Sequence, residues 1–231
     1  MREIVLDTET TGLDPRSDRI IEIGCIELFN HIPTGEIFHS YLNPKREIAA
    51  EAFNVHGISE EFLSDKPQFG EIAVAFSNFI ADSQLVIHNA AFDLGFLNSE
   101  FDRIGFGKLP PGRAIDTLLI ARRKFPGAQN SLDGLCRRYS IDISDRELHG
   151  ALKDSHLLAA VYLELTGGAQ TGLALDDAAG GRQMAAQSGM PGASGGRPTR
   201  PAPLPALLTE TENAAHEAFI AALGSEPIWK R

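Results

Sequence analysis

Ile4-Val5-Leu6-Asp7-Thr8-Glu9-Thr10-Thr11-Gly12 opens on an uninterrupted apolar run and closes on two acids, three threonines and a glycine. Ile4, Val5 and Leu6 predict a strand covered on both faces. Asp7 and Glu9 follow at its carboxyl end, and residues two apart on a strand share a face, so the two carboxylates point the same way. Like charges held that close repel. A divalent cation bound by oxygen ligands relieves the repulsion. A turn with both acids facing water is the other reading of these nine residues, and the remainder of the chain has to choose between them.

Around this stretch lies a 231-residue chain, long enough for one sizeable domain and an appendage. The absence of an apolar run of about 18 residues speaks against a membrane span. The N-terminus leads directly into a strand with no basic-then-apolar signal segment, and Cys25 and Cys136 sit inside apolar patterns, so both read as reduced core residues of a cytoplasmic protein. The formal net charge of −10 disfavours an unaided grip on long duplex DNA, which usually needs a strongly basic surface. It leaves room for an enzyme that takes a short strand end through metal ions, or one delivered by partners.

Next along the chain, Leu13 to Asp18 is rich in turn formers. Arg19 to Phe29 alternates and is β-branched, and Glu36 to Leu42 predicts a third strand, with Pro33-Thr34-Gly35 as the turn of an antiparallel meander. Glu22, inside the second strand, reads as a solvent-facing partner of Arg19. Short helices broken at Gly57 are expected from Ile48 to Leu63, with Ser59 as an N-cap. Phe69 to Ile80 has helical spacing; Gln84 to His88 is a short buried strand and Ala91 to Ile104 a helix. Ala114 to Asp116 is a short strand leading into a helix to Arg123. Helices at Ser131–Tyr139 and Gly150–Leu165 complete a mixed α/β sheet flanked by helices.

Two further acids join the pair. Asp93 lies at the start of its helix on the stripe formed by Phe96, Leu97, Phe101 and Ile104, where an acid is costly unless paired or coordinated. Asp154 heads a second stripe, with Val161 and Leu165 below it. His149 lies five residues earlier and out of phase with that stripe, which puts it on the preceding loop. Four acids at the ends of three elements, with one histidine beside the last, suit two-metal hydrolysis of a phosphodiester, the histidine removing a proton from water. Singly, Asp93 also reads as an N-cap, Asp154 as a partner of Lys153 or an arginine, and His149 as a solvated loop residue; jointly with Asp7 and Glu9 those readings lose ground.

Leu6-Asp7-Thr8-Glu9-Thr10-Thr11-Gly12, His88-Asn89-Ala90-Ala91-Phe92-Asp93 and His149-Gly150-Ala151-Leu152-Lys153-Asp154 resemble the three motifs of the DEDDh exonuclease family, and within it the epsilon proofreading subunits of bacterial DNA polymerase III. The likeness covers roughly residues 3–166 and extends to Phe53-Asn54-Val55-His56-Gly57-Ile58 and Asn130-Ser131-Leu132-Asp133-Gly134-Leu135-Cys136. It implies a ribonuclease-H-like fold with a five-stranded sheet, and removal of nucleotides from a DNA 3′ end as 5′-monophosphates. It further implies two divalent cations, Mg²⁺ or Mn²⁺, bound directly by Asp7, Glu9 and Asp154 and through water by Asp93, with His149 as general base. Positions matching Glu51 and His56 touch the terminal nucleotide in this family. Glu51 reads equally as an exposed helix-start acid, and His56 as a helix-terminal cap. His31, His39, His88, His156 and His216 read as structural.

Residues 167–208 lose periodicity and become rich in Gly and Pro, as expected of a flexible linker. Gln170-Thr171-Gly172-Leu173-Ala174-Leu175 at its start looks like a sliding-clamp-binding peptide, with Gln170 as polar reader and Leu173 and Leu175 as anchors. In residues 209–231, Thr209 with Glu212 predicts a capped helix. Its stripe, including Phe219 and Leu223, and the lone Trp229 are similar to the segment that binds the polymerase catalytic (alpha) subunit; the Pro-rich run Pro198 to Pro205 departs from the family. The resemblance also leaves room for a small theta-like subunit. An RNA-processing 3′–5′ exoribonuclease of the same superfamily and a non-catalytic polymerase-stabilising module are the competing functions.

Overall fold

The computed structural model describes residues 1–144, 148–168 and 209–222. The chain divides into two compact units, Met1–Ala174 and Leu175–Arg231. In the first, strands β1 (Arg2–Thr10), β2 (Ile20–Phe29) and β3 (Ile32–Tyr41) precede helices α1 (Ala50–His56), α2 (Glu60–Leu63) and α3 (Phe69–Ile80). Strand β4 (Gln84–Ile87), helix α4 (Ala90–Arg103), a single 3₁₀ turn and strand β5 (Ala114–Asp116) come next. Helices α5 (Thr117–Lys124), α6 (Leu132–Arg138) and α7 (Ala151–Leu165) follow. The sheet order is β3-β2-β1-β4-β5, with β1 antiparallel to β2 and parallel to β4. The first acid-bearing strand is therefore central.

Both faces of β1 are covered. Ile4 and Leu6 pack with Phe69, Phe76, Phe96 and Phe101 from α3 and α4, whereas Val5 packs with Leu158 and Tyr162 of α7. A third cluster joins Ala121, Leu135, Cys136, Val161 and Leu165 across α5, α6 and α7. All three of β1's apolar residues are fully buried, which is why the strand shows no alternation. Local signals set the helix ends: Gly57 closes α1 with φ of 68°, Ser59 accepts from the Phe62 amide at 3.2 Å, and Ser131 accepts from the Gly134 amide at 3.2 Å. Cys25 and Cys136 are buried free thiols.

The β2–β3 turn differs from the expectation. It lies at Asn30-His31, with φ of 52° and 67°, and Phe29 faces Ile32 across it. A two-residue hairpin loop needs positive φ at both central positions, a conformation Asn tolerates well. Pro33 and Gly35 instead fall within β3 where the register shifts, and an edge strand accommodates a proline.

In the second unit the described residues form α8 (Glu210–Ala222). Its start is a reciprocal cap: the Thr209 amide donates to Glu212 Oε2 at 2.8 Å and the Glu212 amide to Thr209 Oγ1 at 3.3 Å. Phe219 on this helix is 63% exposed. No described helix is long and apolar enough to cross a membrane.

Candidate active site

Alternation along β1 sends Glu3, Val5, Asp7 and Glu9 toward α7 and Thr8 toward α4. The Tyr162 hydroxyl of α7 donates to Glu3 at 2.7 Å, while the Thr8 hydroxyl donates to Asp93 of α4 at 2.7 Å. Across the β1–β2 ladder Asp7 faces Gly24 and Glu9 faces Glu22. A Cβ at Gly24 would lie 2.3 Å from the backbone of Ala151 and Leu152, so the bare glycine lets the start of α7 rest directly on the strand. Ser155 Oγ donates to the Gly24 carbonyl at 2.9 Å, and the Ala151 amide donates to Glu22 Oε2 at 3.1 Å. These contacts bring Asp154, in the first turn of α7, against the end of β1.

Glu22 corrects the sequence reading. It is buried, not solvent-facing; its Oε1 lies 2.7 Å from His39 Nε2, and Arg19 pairs instead with Glu100 at 2.6 Å. An acid flanked by Ile20, Ile21 and Ile23 on a strand next to the centre of a covered sheet has no route to solvent, a signal the local charge pattern obscured. Its role is to satisfy the first amide of α7, one of the donors a helix leaves unpaired.

Asp93 is 2% exposed. Burial raises its pKa to about 7, against hydrogen bonds from Thr8 that act downward. Burial likewise pushes Asp7 well above the ordinary carboxylate range, reinforced by Asp93, Glu9 and Asp154. The start of α4 is fixed from β5: Asp116 accepts from the Asn89 and Ala90 amides at 3.3 and 3.1 Å while also capping α5.

His149 is exposed on the loop before α7. Its amide donates to the Val55 carbonyl at 3.1 Å, and its Nδ1 lies 3.2 Å from Asp154 Oδ2. Glu9, His149 and Asp154 each offer a ligand atom, all within 4.8 Å of one another. The carboxylate oxygens crowded here match what a hard divalent cation prefers, and the part of the upward push on Asp7 that comes from Asp93, Glu9 and Asp154 is repulsion such a cation would cancel. These residues fit a metal centre.

Two clefts flank it. One, of about 620 Å³, is lined by Glu9, Leu13, Glu51, Val55, His56 and Phe92. Glu51 is exposed in the first turn of α1. His56 is buried, with its pKa lowered chiefly by burial, and its Nδ1 accepts from the Ile58 amide at 3.0 Å. That bond assigns the proton of the neutral ring to Nε2. The other cleft, of about 710 Å³, is lined by Asp7, His149, Asp154, Asn89, Arg122 and Asn130 among others.

Of the sequence-predicted residues, Asp7, Glu9, Asp93, His149 and Asp154 are brought together, and Glu51 and His56 line the adjoining cleft. Gln170, Leu173, Leu175, Leu223 and Trp229 lie outside the described residues. Beyond Glu22 and His39, sequence reasoning passed over Arg122 and Asn130; Asn130 stood within a quoted motif, but no chemistry was attached to it.

Residues 4–162 match the RNase_T family, described as Exonuclease. The DNA polymerase III subunit epsilon of Rickettsia felis is 55% identical over 181 residues, covering 77% of this chain and 79% of the relative. That of Escherichia coli K12 is 51% identical over 182 residues, covering 75% and 74%. Among solved structures, exonuclease X in complex with 5′-overhanging duplex DNA is similar with a TM-score of 0.57 and 26% identity, covering 71% of this chain and 90% of that one. The nuclease domain of 3′hExo, a DEDDh member bound to rAMP, shares the fold with a TM-score of 0.62 at 19% identity, covering 72% and 92%.

Proposed function

The chain belongs to the RNase_T family of exonucleases, and on that premise we propose that it is the proofreading 3′–5′ exonuclease subunit of a replicative DNA polymerase III, working in the cytoplasm at the replisome. The observation that carries this reading is the convergence of Asp7, Glu9, Asp93 and Asp154 from three elements beside His149. The relatives at 51–57% identity named as epsilon subunits support the choice of DNA over RNA.

Asp7, Glu9 and Asp154 would hold two divalent cations, Mg²⁺ or Mn²⁺, with Asp93 supporting the site. When bound, such a pair would supply charge neutralisation to the phosphodiester and to the attacking and leaving oxygens. His149 acts as general base. With Nδ1 turned to Asp154, the neutral ring carries its proton there and Nε2 takes the proton from the attacking water. The apolar cleft with Glu51 and His56 receives the terminal nucleoside, whose base packs on Leu13, Val55 and Phe92. The other cleft takes the strand on its 5′ side.

Residues 1–166 form the catalytic domain, 167–208 a linker carrying a clamp-binding peptide at 170–175, and 209–231 the segment that binds the polymerase alpha subunit. Tethering raises the local concentration of the 3′ end, so an acidic chain need not grip DNA itself. A frayed end reaches the site more readily than a paired one, because melting costs stacking and pairing energy.

The test uses primers with matched and mismatched 3′ ends on DNA and RNA strands in Mg²⁺. Faster trimming of mismatched DNA, with release of nucleoside 5′-monophosphates, is expected. Preference for RNA would move the assignment to RNA processing, and inertness of folded protein on both would favour a polymerase-stabilising module.

A further inference from the structure

The cleft on the Asp7 and Asp154 side holds a cation that the chemistry above leaves without a task. Leu118 and Arg122, four apart on α5, present one helical face to this cleft, and Ala121 anchors the helix in the core with Leu135 and Val161. Arg122 is the one arginine or lysine among the described residues lining the cleft. It is exposed, and no ion pair or hydrogen bond engages it among the described residues. Its charge reaches inward: His88, at the cleft's base, is held below its ordinary pKa first by burial, with Asp116 and Asn130 opposing and Arg122 adding to the lowering. In a chain with a net charge of −10, a positive group lining the same cavity as Asp7 and Asp154 is a local reversal of sign.

Asn130 is held rigidly in the wall of this cleft. It is 8% exposed and lines the same cleft; its Nδ2 donates to the Phe125 and Ala128 carbonyls at 3.1 and 3.0 Å, which fixes the amide. Its Oδ1 is buried with no hydrogen-bond partner among the described residues. A buried acceptor without a donor is costly, and an enclosed water ends that cost.

We propose that Arg122 binds the phosphate on the 5′ side of the penultimate nucleotide, so that this cleft sets the path by which the strand leaves the site. The proposal rests on the exonuclease reading above. With the terminal nucleoside in the apolar cleft and the scissile phosphate over the acids, the penultimate nucleoside falls in the second cleft, and its own 5′ phosphate is the next anion along. A guanidinium matches phosphate oxygens two at a time, which a lysine cannot do. At about 710 Å³ the cleft has the size of a small-ligand site. Arg122 is thus a positioning residue: it touches the strand, not the reacting atoms.

The experiment compares kcat/KM for a single-stranded oligodeoxynucleotide with kcat/KM for the p-nitrophenyl ester of thymidine 5′-monophosphate. The ester offers the scissile phosphate and one nucleoside but no upstream strand. Arg122→Ala is expected to lower the ratio of the two about tenfold, chiefly through KM for the oligonucleotide. The dependence of that KM on salt should flatten by roughly 0.7 in the log–log slope, as for one lost single-strand phosphate contact. Arg122→Lys should recover part of the ratio, and Arg123→Ala, on the neighbouring exposed position, none of the loss. If Arg122→Ala lowers the melting midpoint, Arg122→Gln, which keeps most of the aliphatic stem, provides the same ratio. Equal losses on both substrates, or an unchanged ratio, overturn the proposal while the exonuclease reading stands. A wild type inert on both substrates in Mg²⁺ overturns the exonuclease reading and this proposal with it.

Discussion

At Asp7, burial and four neighbouring carboxylates act in one direction, favouring the protonated acid in the metal-free chain. A site that relieves this only on binding a cation trades stability for function. Asp7→Asn should therefore raise the thermal midpoint of chelator-treated protein while lowering hydrolysis by about a thousandfold or more, the scale seen when a centrally placed electrostatic group is removed; calorimetry and a nuclease assay on the same preparation check both halves. Asp93 gives the pH dependence. An unfolded aspartate titrates near 4, and buried Asp93 titrates at about 7. Between those values the fold keeps a proton that the unfolded chain has lost, so raising the pH through this window destabilises the fold. The midpoint of metal-free protein should fall from pH 5 to pH 8, Asp93→Asn should remove much of that fall, and Mg²⁺ at pH 8 should raise the wild-type midpoint. A midpoint that rises over this range in wild type and Asp93→Asn alike would contradict the assignment.

Among the elements, the contact between β2 and α7 determines where Asp154 and His149 stand. Gly24 leaves no room for a side chain between strand and helix, because a Cβ there meets backbone atoms and not a flexible side-chain tip. Gly24→Ala should cost roughly 1–3 kcal/mol of stability and most of the hydrolytic activity, read by denaturant unfolding and turnover; a fully active, equally stable variant would mean that α7 sits elsewhere. At this scale much of the fold was legible. The apolar run of β1, the stripes below Asp93 and Asp154, and the serine caps are local signals, and the helices they imply are observed within one or two residues. Two features were not legible. The hairpin turn fell at Asn30-His31 because a two-residue loop rewards left-handed φ more than it rewards proline. Glu22 was misassigned because its partners, His39 and the Ala151 amide, come from elsewhere in the chain.

For the molecule as a whole, the three apolar clusters lie within residues 4–165. A chain ending at Gly168 should keep its melting midpoint and its turnover on single-stranded DNA while losing the proposed association with a polymerase alpha subunit, measured by calorimetry, nuclease assay and size-exclusion chromatography with that subunit. Loss of folding would place part of the core beyond residue 168. The convergence of Asp7, Glu9, Asp93, His149 and Asp154 was legible because each lies at or beside the end of a strongly patterned element. Arg122 and Asn130 were not, since a cleft that gathers α5, the following loop and α7 is a product of packing. The central claim is metal-dependent hydrolysis from a 3′ end, and degradation of a 5′-labelled single-stranded DNA by wild type and Asp7→Ala, in Mg²⁺ and in chelator, tests it most directly. A ladder of products shortened stepwise from the 3′ end, present only for wild type in Mg²⁺, is the predicted result. A ladder that persists in Asp7→Ala or in chelator, or no cleavage by folded wild type, would contradict it.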